Sequence, residues 1–277
     1  MKMRMFLFFI IFFSIYGSVH AYTYYHILSH LLLSLKFKII LGIFFLFMTL
    51  SIPIARLIEL YFPGIFSRGI VIISSVWIGF IFYFFILFLI KDIILLFIKL
   101  LDLNNNNKEI INFLKSNSNV LLIIFSLTII ICIYAYYEAL NIKITSISIP
   151  NNKSALKEKS LNLNIVQLSD IHLGILVGYE RVEKMVKLIN KINPDIIVIT
   201  GDLLDAEMDH IDKISLLFKN LKPRYGKYAV TGNHEFYAGI NKAVYFCNEA
   251  EIELLRNDVK IIPGIINIIG LDDPTFI

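Results

Sequence analysis

The pattern of hydrophobic positions divides the chain into two parts. Up to about residue 140, runs of Phe, Ile and Leu continue with no polar face, and beyond that point charged residues appear at ordinary density. About twenty uncharged residues are enough for a helix to cross a hydrocarbon core about 30 Å thick. We therefore assign residues 1–137 to a multi-pass α-helical membrane region with about four transmembrane helices. The four apolar segments are Met5–Tyr25, Ile39–Ala55, Gly69–Ile90 and Val120–Tyr137.

Several features of this first part allow more than one interpretation. Met5–Tyr25 could be a signal peptide, although the three apolar segments that follow favour an uncleaved membrane anchor. Lys91–Leu103 alternates charged residues with apolar triplets, which predicts a helix lying along the membrane surface. His20, His26 and His30 lie in or just after an apolar segment, and we expect interfacial residues there rather than a metal site. The Lys and Arg residues near the spans favour a cytoplasmic second part only slightly, so the side of the membrane stays open.

The second part alternates short β-branched runs with helical stripes, which predicts a layered α/β domain over residues 161–277. The expected strands are Leu161–Val166, Ile196–Thr200, Tyr228–Thr231, Val259–Ile262 and Ile265–Ile269. Helical stripes are expected to end at Asn193 and before Pro223, and Ala243–Arg256 is expected to be helical. Alternating isoleucines predict one more strand over Asn141–Ile149, so residues 138–160 are expected to form a connecting strand and turn.

Polar clusters follow three of the predicted strands, and together they predict a metal site. Asp170 and His172 follow the first strand, Asp202 follows the second, and Asn233 and His234 follow the third. In open parallel sheets the functional site lies at the carboxyl ends of the strands, so these side chains are expected to meet at one edge. Oxygen and imidazole donors without a thiolate suit Mn, Fe or Zn. In an extended strand end, residues i and i+2 point to the same side, so the first two residues could bind one ion together.

Each of these residues taken singly has a simpler interpretation as a turn or surface residue. Asp170 could cap a turn, and Asp202 and Asn233 follow glycines as turn residues often do. For Asp205 we favour a helix N-cap, and for His210 a surface position on a helix. Taken jointly, such coincidences at three consecutive strand ends are improbable, so the metal site is the better explanation.

Composition and charge narrow the class of protein. The chain is 57% hydrophobic and only 17% charged, which is far too apolar for an average soluble protein. Its net charge of +4 is modest and spread along the sequence, so nucleic-acid binding is not expected. Cys132 lies in an apolar segment and Cys247 in the second part, and no disulfide or zinc-thiolate framework follows from them.

The three clusters, Asp-x-His, Gly-Asp and Gly-Asn-His-Glu about thirty residues apart, resemble those of the calcineurin-like metallophosphoesterase superfamily. Gln167-Leu-Ser-Asp-Ile-His-Leu-Gly174 and Gly270-Leu-Asp-Asp-Pro274 are most similar to its membrane-associated branch, the transmembrane proteins with a metallophosphoesterase domain. The resemblance covers residues 141–277 and implies two divalent metal ions. It implies that Asp170 and His172 hold one ion, Asp202 bridges both, and Asn233 holds the second. His234 would stay unligated as the catalytic acid or hydrogen-bond donor.

One departure from the family pattern concerns the downstream ligands. The family has further histidine ligands, including a Gly-His-x-His cluster, whereas this sequence has no histidine after His234. The chain is therefore expected to be a fragment of a longer reading frame, or else a degenerate relative that cannot hold two metals. In both cases the closing strands of the family's layered α/β sandwich would be missing, and this chain would be an impaired enzyme.

Two functions follow from these observations. The first is a membrane-anchored, metal-dependent phosphoesterase that hydrolyses a phosphodiester or pyrophosphate bond in a lipid-linked or nucleotide-linked substrate. The alternative is a non-catalytic membrane protein whose second part is a degenerate binding module. Either protein would be expected in the cell membrane.

Overall fold

A computed structural model describes residues 2–62, 65–101, 108–150, 162–205 and 211–274. Backbone contacts divide the chain into two compact units, Met1–Asn141 and Ile142–Ile277. Each unit has its own hydrophobic core. The predicted turn after Pro150 and the predicted surface residue His210 lie outside the described residues.

The first unit is helical throughout its regular structure. Its helices are α1 (Lys2–His30), α2 (Leu35–Thr49), α3 (Ser51–Tyr61), α4 (Ile65–Leu100), α5 (Lys108–Ser116) and α6 (Ser118–Leu140). Two helices in the described part of the chain, over Phe66–Leu100 and Ser118–Leu140, are long and apolar enough to cross a membrane by length and composition. Large apolar side chains such as Phe82, Ile130 and Tyr137 are exposed on this unit. These features suggest that the chain associates with a membrane.

Two predicted segments of this unit differ from the helices observed. Ile39–Ala55, expected to be one span, is divided between α2 and α3 at Leu50. Pro53 lies in the first turn of α3, where its missing N–H group is tolerated, but it could not continue the hydrogen-bond ladder of α2. Lys91–Leu103, expected to be a separate surface helix, instead continues α4 without a break as far as Leu100.

The histidines of α1 are buried against the neighbouring helices, and their expected position at the membrane interface stays a prediction. Trp77 Nε1–H donates a hydrogen bond to His20 Nε2 at 2.9 Å. His26 Nε2 lies 3.0 Å from Asp92 Oδ2, and Tyr22 donates to the same oxygen at 2.6 Å. The sequence pattern could not indicate these contacts, because the partners lie more than fifty residues away along the chain.

Lys91 completes this polar cluster, and it is unusual because the side chain is only 6% exposed. Its ammonium group lies 3.1 Å from Asp92 Oδ1 and 3.1 Å from His26 Nδ1. A buried ammonium is stable only when it is paired and hydrogen-bonded, and both conditions are met here. The cluster therefore connects α1 to α4 through polar contacts in a unit that is largely apolar.

The second unit is built on a parallel sheet. Its elements are β1 (Ile165–Leu168), α7 (Tyr179–Ile192), β2 (Ile196–Thr200), α8 (Ile211–Lys219), β3 (Lys227–Val230), α9 (Asn233–Ala238), α10 (Ile240–Glu249), β4 (Glu253–Leu254), β5 (Asp258–Ile262) and β6 (Ile266–Gly270). The first four strands pair in the order β1-β2-β3-β4, all parallel, and β5 pairs with β6 antiparallel. This is the predicted α/β architecture, with mixed helices and sheets.

Alternate residues of the parallel strands face two different layers. Ile197, Ile199 and Ala229 belong to the core that also contains residues of α7, α8 and α10. Ile196 and Tyr228 belong to a smaller core, against which apolar residues of β5 and β6 pack. The period-two alternation of a strand thus places helices on one face of the sheet and the β-hairpin on the other.

Two buried ionisable side chains lie in this unit. Lys227 Nζ donates to the carbonyl oxygens of Phe218 at 2.7 Å and Ala250 at 2.6 Å, and burial lowers the pKa of the amine to about 8. Burial, and secondarily the charge of Glu235, raises the pKa of the Cys247 thiol to about 12. Both groups are therefore shifted towards their neutral forms, as expected for desolvated groups.

Some predicted elements of this unit are wrong. Asn141–Ile149 forms no strand, because no described strand pairs with it, and Ile147 is 80% exposed. Within the described residues, the first strand begins only at Ile165. The helix predicted to reach Arg256 ends at Glu249, and β4 follows it. Short strands of this kind depend on pairing with distant residues, which the local pattern does not contain.

Candidate metal centre

Three loops leave the carboxyl ends of β1, β2 and β3, which are neighbours in the sheet. The first loop carries Asp170 and His172, the second Asp202, and the third Asn233 and His234. Backbone hydrogen bonds join the first two loops, from His172 N to Asp202 O at 3.0 Å and from Asp170 N to the Gly201 carbonyl oxygen at 3.3 Å. The five predicted residues are therefore carried by three adjacent loops at one edge of the sheet.

The backbone at these loops is left-handed at three of the predicted residues. Asp170, His172 and Asp202 have φ values of 53°, 50° and 50°. An L-residue pays roughly 1–2 kcal/mol for this conformation, so the surrounding hydrogen bonds must hold it. The expectation that Asp170 and His172 lie in an extended strand end is wrong, because β1 ends at Leu168 and both residues turn.

Three of the side chains come close enough to share one cation. His172, Asp202 and His234 each offer a ligand atom, and these atoms lie within 4.8 Å of one another. The His172 Nε2 atom is 3.8 Å from Asp202 Oδ2. Two imidazoles and a carboxylate, all half-buried, are a donor set that fits a divalent transition metal.

Asp170 and Asn233 are the other two residues predicted to bind metal. Asp170 is exposed, accepts a hydrogen bond from the Ser169 hydroxyl, and is not part of the group of three ligand atoms. Asn233 is the first residue of α9 and is half-buried. The metal-binding roles of both residues stay predictions.

The environment of His234 differs from that of His172. Its backbone N–H donates to Asp202 Oδ1 at 3.1 Å, and its Nδ1 atom lies 3.5 Å from Asp205 Oδ1. The rings of His172 and His234 meet edge to face with their centroids 4.4 Å apart. Asp205 is thus beside a candidate catalytic imidazole, while its predicted capping role stays a prediction because residues 206–210 lie outside the described chain.

Glycine at position 232 allows the second and third loops to approach each other. A Cβ atom at Gly232 would lie 2.1 Å from Asp202 Oδ1 and 2.7 Å from the Asp202 backbone nitrogen. Gly201 contributes to the same approach with φ 100°, and a Cβ atom there would meet the Cα atom of Gly232 at 3.1 Å. Side chains at these positions would separate the loops that carry the ligands.

Glu235 holds the same two loops together, a role that the sequence pattern does not predict. Its carboxylate is 2% exposed and accepts three backbone N–H groups, from Gly232 at 2.7 Å, Leu204 at 2.9 Å and Asp202 at 3.1 Å. The signal was its position as N3 of a helix preceded by an N-cap glycine, where a glutamate often reaches back to the backbone. The hydrogen bonds of Glu235 with the second loop could not be inferred from the spacing of the residues along the chain.

Asp272 anchors the start of the third loop. Its carboxylate accepts a hydrogen bond from the Thr231 hydroxyl at 2.8 Å and from Arg256 Nη2 at 2.8 Å. The hydrogen bond with Arg256, and secondarily that with Thr231, lowers the pKa of the Asp272 carboxyl, so it remains ionised. This explains why Gly270-Leu-Asp-Asp-Pro274, far from the clusters in sequence, belongs to the same structural unit.

The fold and the site define the class of domain: an α/β sheet with imidazole and carboxylate donors on loops at its carboxyl edge, suited to metal-assisted hydrolysis. Residues 163–272 match the model of the calcineurin-like phosphoesterase family. The chain thus contains a calcineurin-like metallophosphoesterase domain, and the resemblance inferred from its clusters is confirmed. Such domains use divalent metals and act on phosphoesters.

Relatives support the same assignment. The chain is 33% identical over 140 residues to an uncharacterized metallophosphoesterase of Aquifex aeolicus, covering 50% of this chain and 52% of that protein. It is 33% identical over 161 residues to a transmembrane protein with metallophosphoesterase domain of Danio rerio, covering 57% and 36% respectively. A protein of the same name from Bos taurus is 39% identical over 94 residues, covering 34% and 21%. The matched region thus spans about half of these relatives or less. No solved structure matches the chain.

Proposed function

We propose that this chain is a membrane-anchored phosphoesterase that uses two divalent metal ions, Mn, Fe or Zn, to hydrolyse a phosphodiester or pyrophosphate bond. The observation that carries the proposal is the convergence of His172, Asp202 and His234 at the carboxyl edge of a sheet within the family domain. Imidazole and carboxylate groups at such an edge are what a metal-dependent hydrolase needs.

Asp170, His172, Asp202 and Asn233 would hold the metal ions, with Asp202 between them because a carboxylate offers two oxygens. Two bound cations would lower the pKa of a water molecule and neutralise the charge that builds up on the phosphoryl oxygens. The residues of this chain position those groups: Glu235 fixes the backbone of the second and third loops, and the left-handed turns aim the side chains.

His234 would act as the catalytic acid or hydrogen-bond donor towards the phosphate. Its Nδ1 atom lies beside the Asp205 carboxylate, which would hold a proton on that nitrogen and leave Nε2 to face the substrate. Donation from Nε2 requires a proton on both ring nitrogens, and it would stabilise an oxygen that gains negative charge in the transition state.

The membrane anchor and the substrate are linked in this proposal. The two apolar helices and the relatives with transmembrane names support a domain that works near a lipid surface. A substrate that is amphiphilic, whether lipid-linked or nucleotide-linked, would be available there. Carbonate extraction of membranes tests the anchor: the chain should stay in the pellet, and release into the supernatant would argue against spanning helices.

Metal analysis combined with kinetics tests the division of roles. Asp202→Asn removes the bridging charge, so both the metal content and the hydrolysis of bis(p-nitrophenyl) phosphate should fall. His234→Ala should keep its metal while turnover falls on the order of 10²–10⁴-fold. Asp258→Asn, at an exposed position in β5, is the matched control and should change neither.

Two outcomes would contradict the proposal. If His234→Ala loses metal as readily as Asp202→Asn, the imidazole is a ligand and not the acid. If the chain binds manganese but neither substitution changes phosphoester hydrolysis, the domain is a binding module rather than an enzyme at this site.

A further inference from the structure

A pocket of about 170 Å³ lies beside the first metal-site loop, and Asp170 forms part of its wall. Most of its other lining side chains are apolar. Ile171 lies in the same loop as Asp170, Val177 lies in the segment that leads into α7, and Met185 lies in α7 itself. Ile142, from the irregular segment at the start of the second unit, lines it as well. The pocket therefore lies beside a loop of the candidate metal centre, and five of its eight lining side chains are apolar.

The size of the pocket limits what it can hold. An engineered apolar cavity of about 150 Å³ binds a benzene molecule. A space of about 170 Å³ is thus suited to one six-membered ring or a short alkyl chain. Three of its lining side chains are polar, Ser169, Asp170 and Arg181, whereas the other five are apolar and offer nothing to replace the hydrogen bonds that a hydroxylated group makes with water.

Arg181 is the cationic side chain of this pocket. It lies in the first turn of α7, is half-buried, and forms no ion pair or hydrogen bond with any residue that the structure describes. A guanidinium presents several N–H donors in a planar fork that matches the oxygens of a phosphate. Five apolar side chains beside a guanidinium that pairs with no described residue are suited to a ligand that is apolar at one end and anionic at the other.

We propose that this pocket is the subsite for an apolar group, aryl or short alkyl, that is attached to the phosphate of the substrate. Arg181 donates hydrogen bonds to a phosphoryl oxygen of the same molecule. This inference rests on the proposed function and extends it, because it selects phosphoesters with an apolar group next to the phosphate over those with a hydroxylated group there. Arg181 is a specificity-determining residue in this proposal.

The test compares two phosphonates that differ only in the apolar group. Phenylphosphonate and methylphosphonate are titrated by calorimetry into the full chain, solubilised in detergent and loaded with manganese. One extra methylene group in an apolar pocket increases binding affinity about tenfold or more. Phenylphosphonate should therefore bind at least about tenfold more tightly than methylphosphonate. Equal affinities, or the absence of binding by either phosphonate, would overturn the proposal.

Variants that fill the pocket test whether the pocket causes the preference for phenylphosphonate. Val177→Phe fills the space from the core side, and Ile142→Trp fills it from a segment outside every described helix and strand, where a larger side chain interrupts no regular element. Either change should reduce the ratio of the two affinities to about one while the affinity for methylphosphonate is kept. A ratio that survives Ile142→Trp would show that the ring binds elsewhere.

Arg181→Gln should weaken both phosphonates by a similar factor, about tenfold, and leave their ratio unchanged. Lys184→Gln removes one positive charge from an exposed position of the same helix and is the matched control, expected to alter neither affinity. If Arg181→Gln behaves like this control, the assignment of Arg181 is wrong. Because binding is measured without turnover, a chain that fails to hydrolyse phosphoesters but keeps the phenyl preference would contradict the proposed function and not this inference.

Discussion

Replacing Glu235 tests whether one buried carboxylate holds the candidate metal centre together. The side chain accepts N–H groups from the second loop, at Asp202 and Leu204, and from the third loop, at Gly232. Glu235→Ala would leave these three donors without their acceptor in a buried site. Glu235→Gln would keep the volume and one acceptor oxygen, but it would turn an NH₂ group towards backbone donors.

The magnitude follows from the number and kind of hydrogen bonds. A hydrogen bond to a charged group contributes about 1.5–3 kcal/mol, so three of them would contribute about 4.5 kcal/mol at the lower end of that range. Bonds that share one acceptor are not additive, and the loops would relax in part. We expect Glu235→Ala to lower the local free energy of unfolding by about 4 kcal/mol and Glu235→Gln by about 2 kcal/mol.

Hydrogen exchange measured by mass spectrometry suits this prediction, since it reports on each unit separately. The opening free energy that governs amide exchange in β2 and β3 should fall by about 4 kcal/mol in Glu235→Ala and about 2 kcal/mol in Glu235→Gln. Manganese binding should likewise weaken more in Glu235→Ala than in Glu235→Gln. Glu249→Ala, at an exposed position in α10, is the control and should stay within about 0.5 kcal/mol. If Glu235→Ala exchanges no faster than this control, the carboxylate does not hold the loops and the argument fails.

Four further predictions concern other residues of the two units. As the pH rises from 8.5 to 10.5, the unfolding free energy of Cys247→Ala should increase by about 1.4 kcal/mol per pH unit. The reason is that the Lys227 amine is neutral in the folded protein but protonated in the unfolded chain. Over the same pH range, the unfolding free energy of Lys227→Met should decrease by a similar amount per pH unit. The reason is that the Cys247 thiol stays protonated in the folded protein but ionises in the unfolded chain. Asp92→Asn should destabilise the helical unit by about 2 kcal/mol, measured by tryptophan fluorescence in detergent, because it leaves the buried Lys91 ammonium without its counter-charge. Gly232→Ala should weaken manganese binding at least about tenfold in calorimetry, since its Cβ atom would lie 2.1 Å from a carboxylate oxygen of the second loop.

Each of these predictions has an outcome that would contradict it. Parallel pH profiles for Cys247→Ala and Lys227→Met would mean that neither group is shifted as its burial implies. An Asp92→Asn variant that unfolds like the parent would mean that other groups stabilise the Lys91 ammonium. Gly178→Ala, where an added Cβ atom meets nothing within 4 Å, is the control for Gly232→Ala, and equal metal affinities would refute the role of close loop approach.

The elements that the sequence predicted well are those whose signal is local. The β-branched run Ile196–Thr200 and the apolar stripe of α7 carry their own period, and both are found as predicted. The alternating isoleucines of Asn141–Ile149 carry the same kind of period, yet without a partner strand they form no ladder. The pattern alone cannot tell these two cases apart, because pairing is a property of distant residues.

The candidate site shows the same limit. Residue type and position at strand ends were enough to bring His172, Asp202 and His234 together, because parallel strands end at a common edge. The left-handed turns, the carboxylate of Glu235 and the approach of Asp205 to His234 were not accessible. Each depends on a contact between loops, and the length of a loop does not fix the direction of its side chains.

The order of the parallel strands in space equals their order along the chain, and this matters for biosynthesis. A nascent polypeptide emerges from its amino terminus, so β2 can dock on β1 and β3 on β2 without waiting for a strand made later. The three metal-site loops follow these three strands in turn. Every candidate ligand, and the three strands that carry them, therefore precede the β5–β6 hairpin in the order of synthesis.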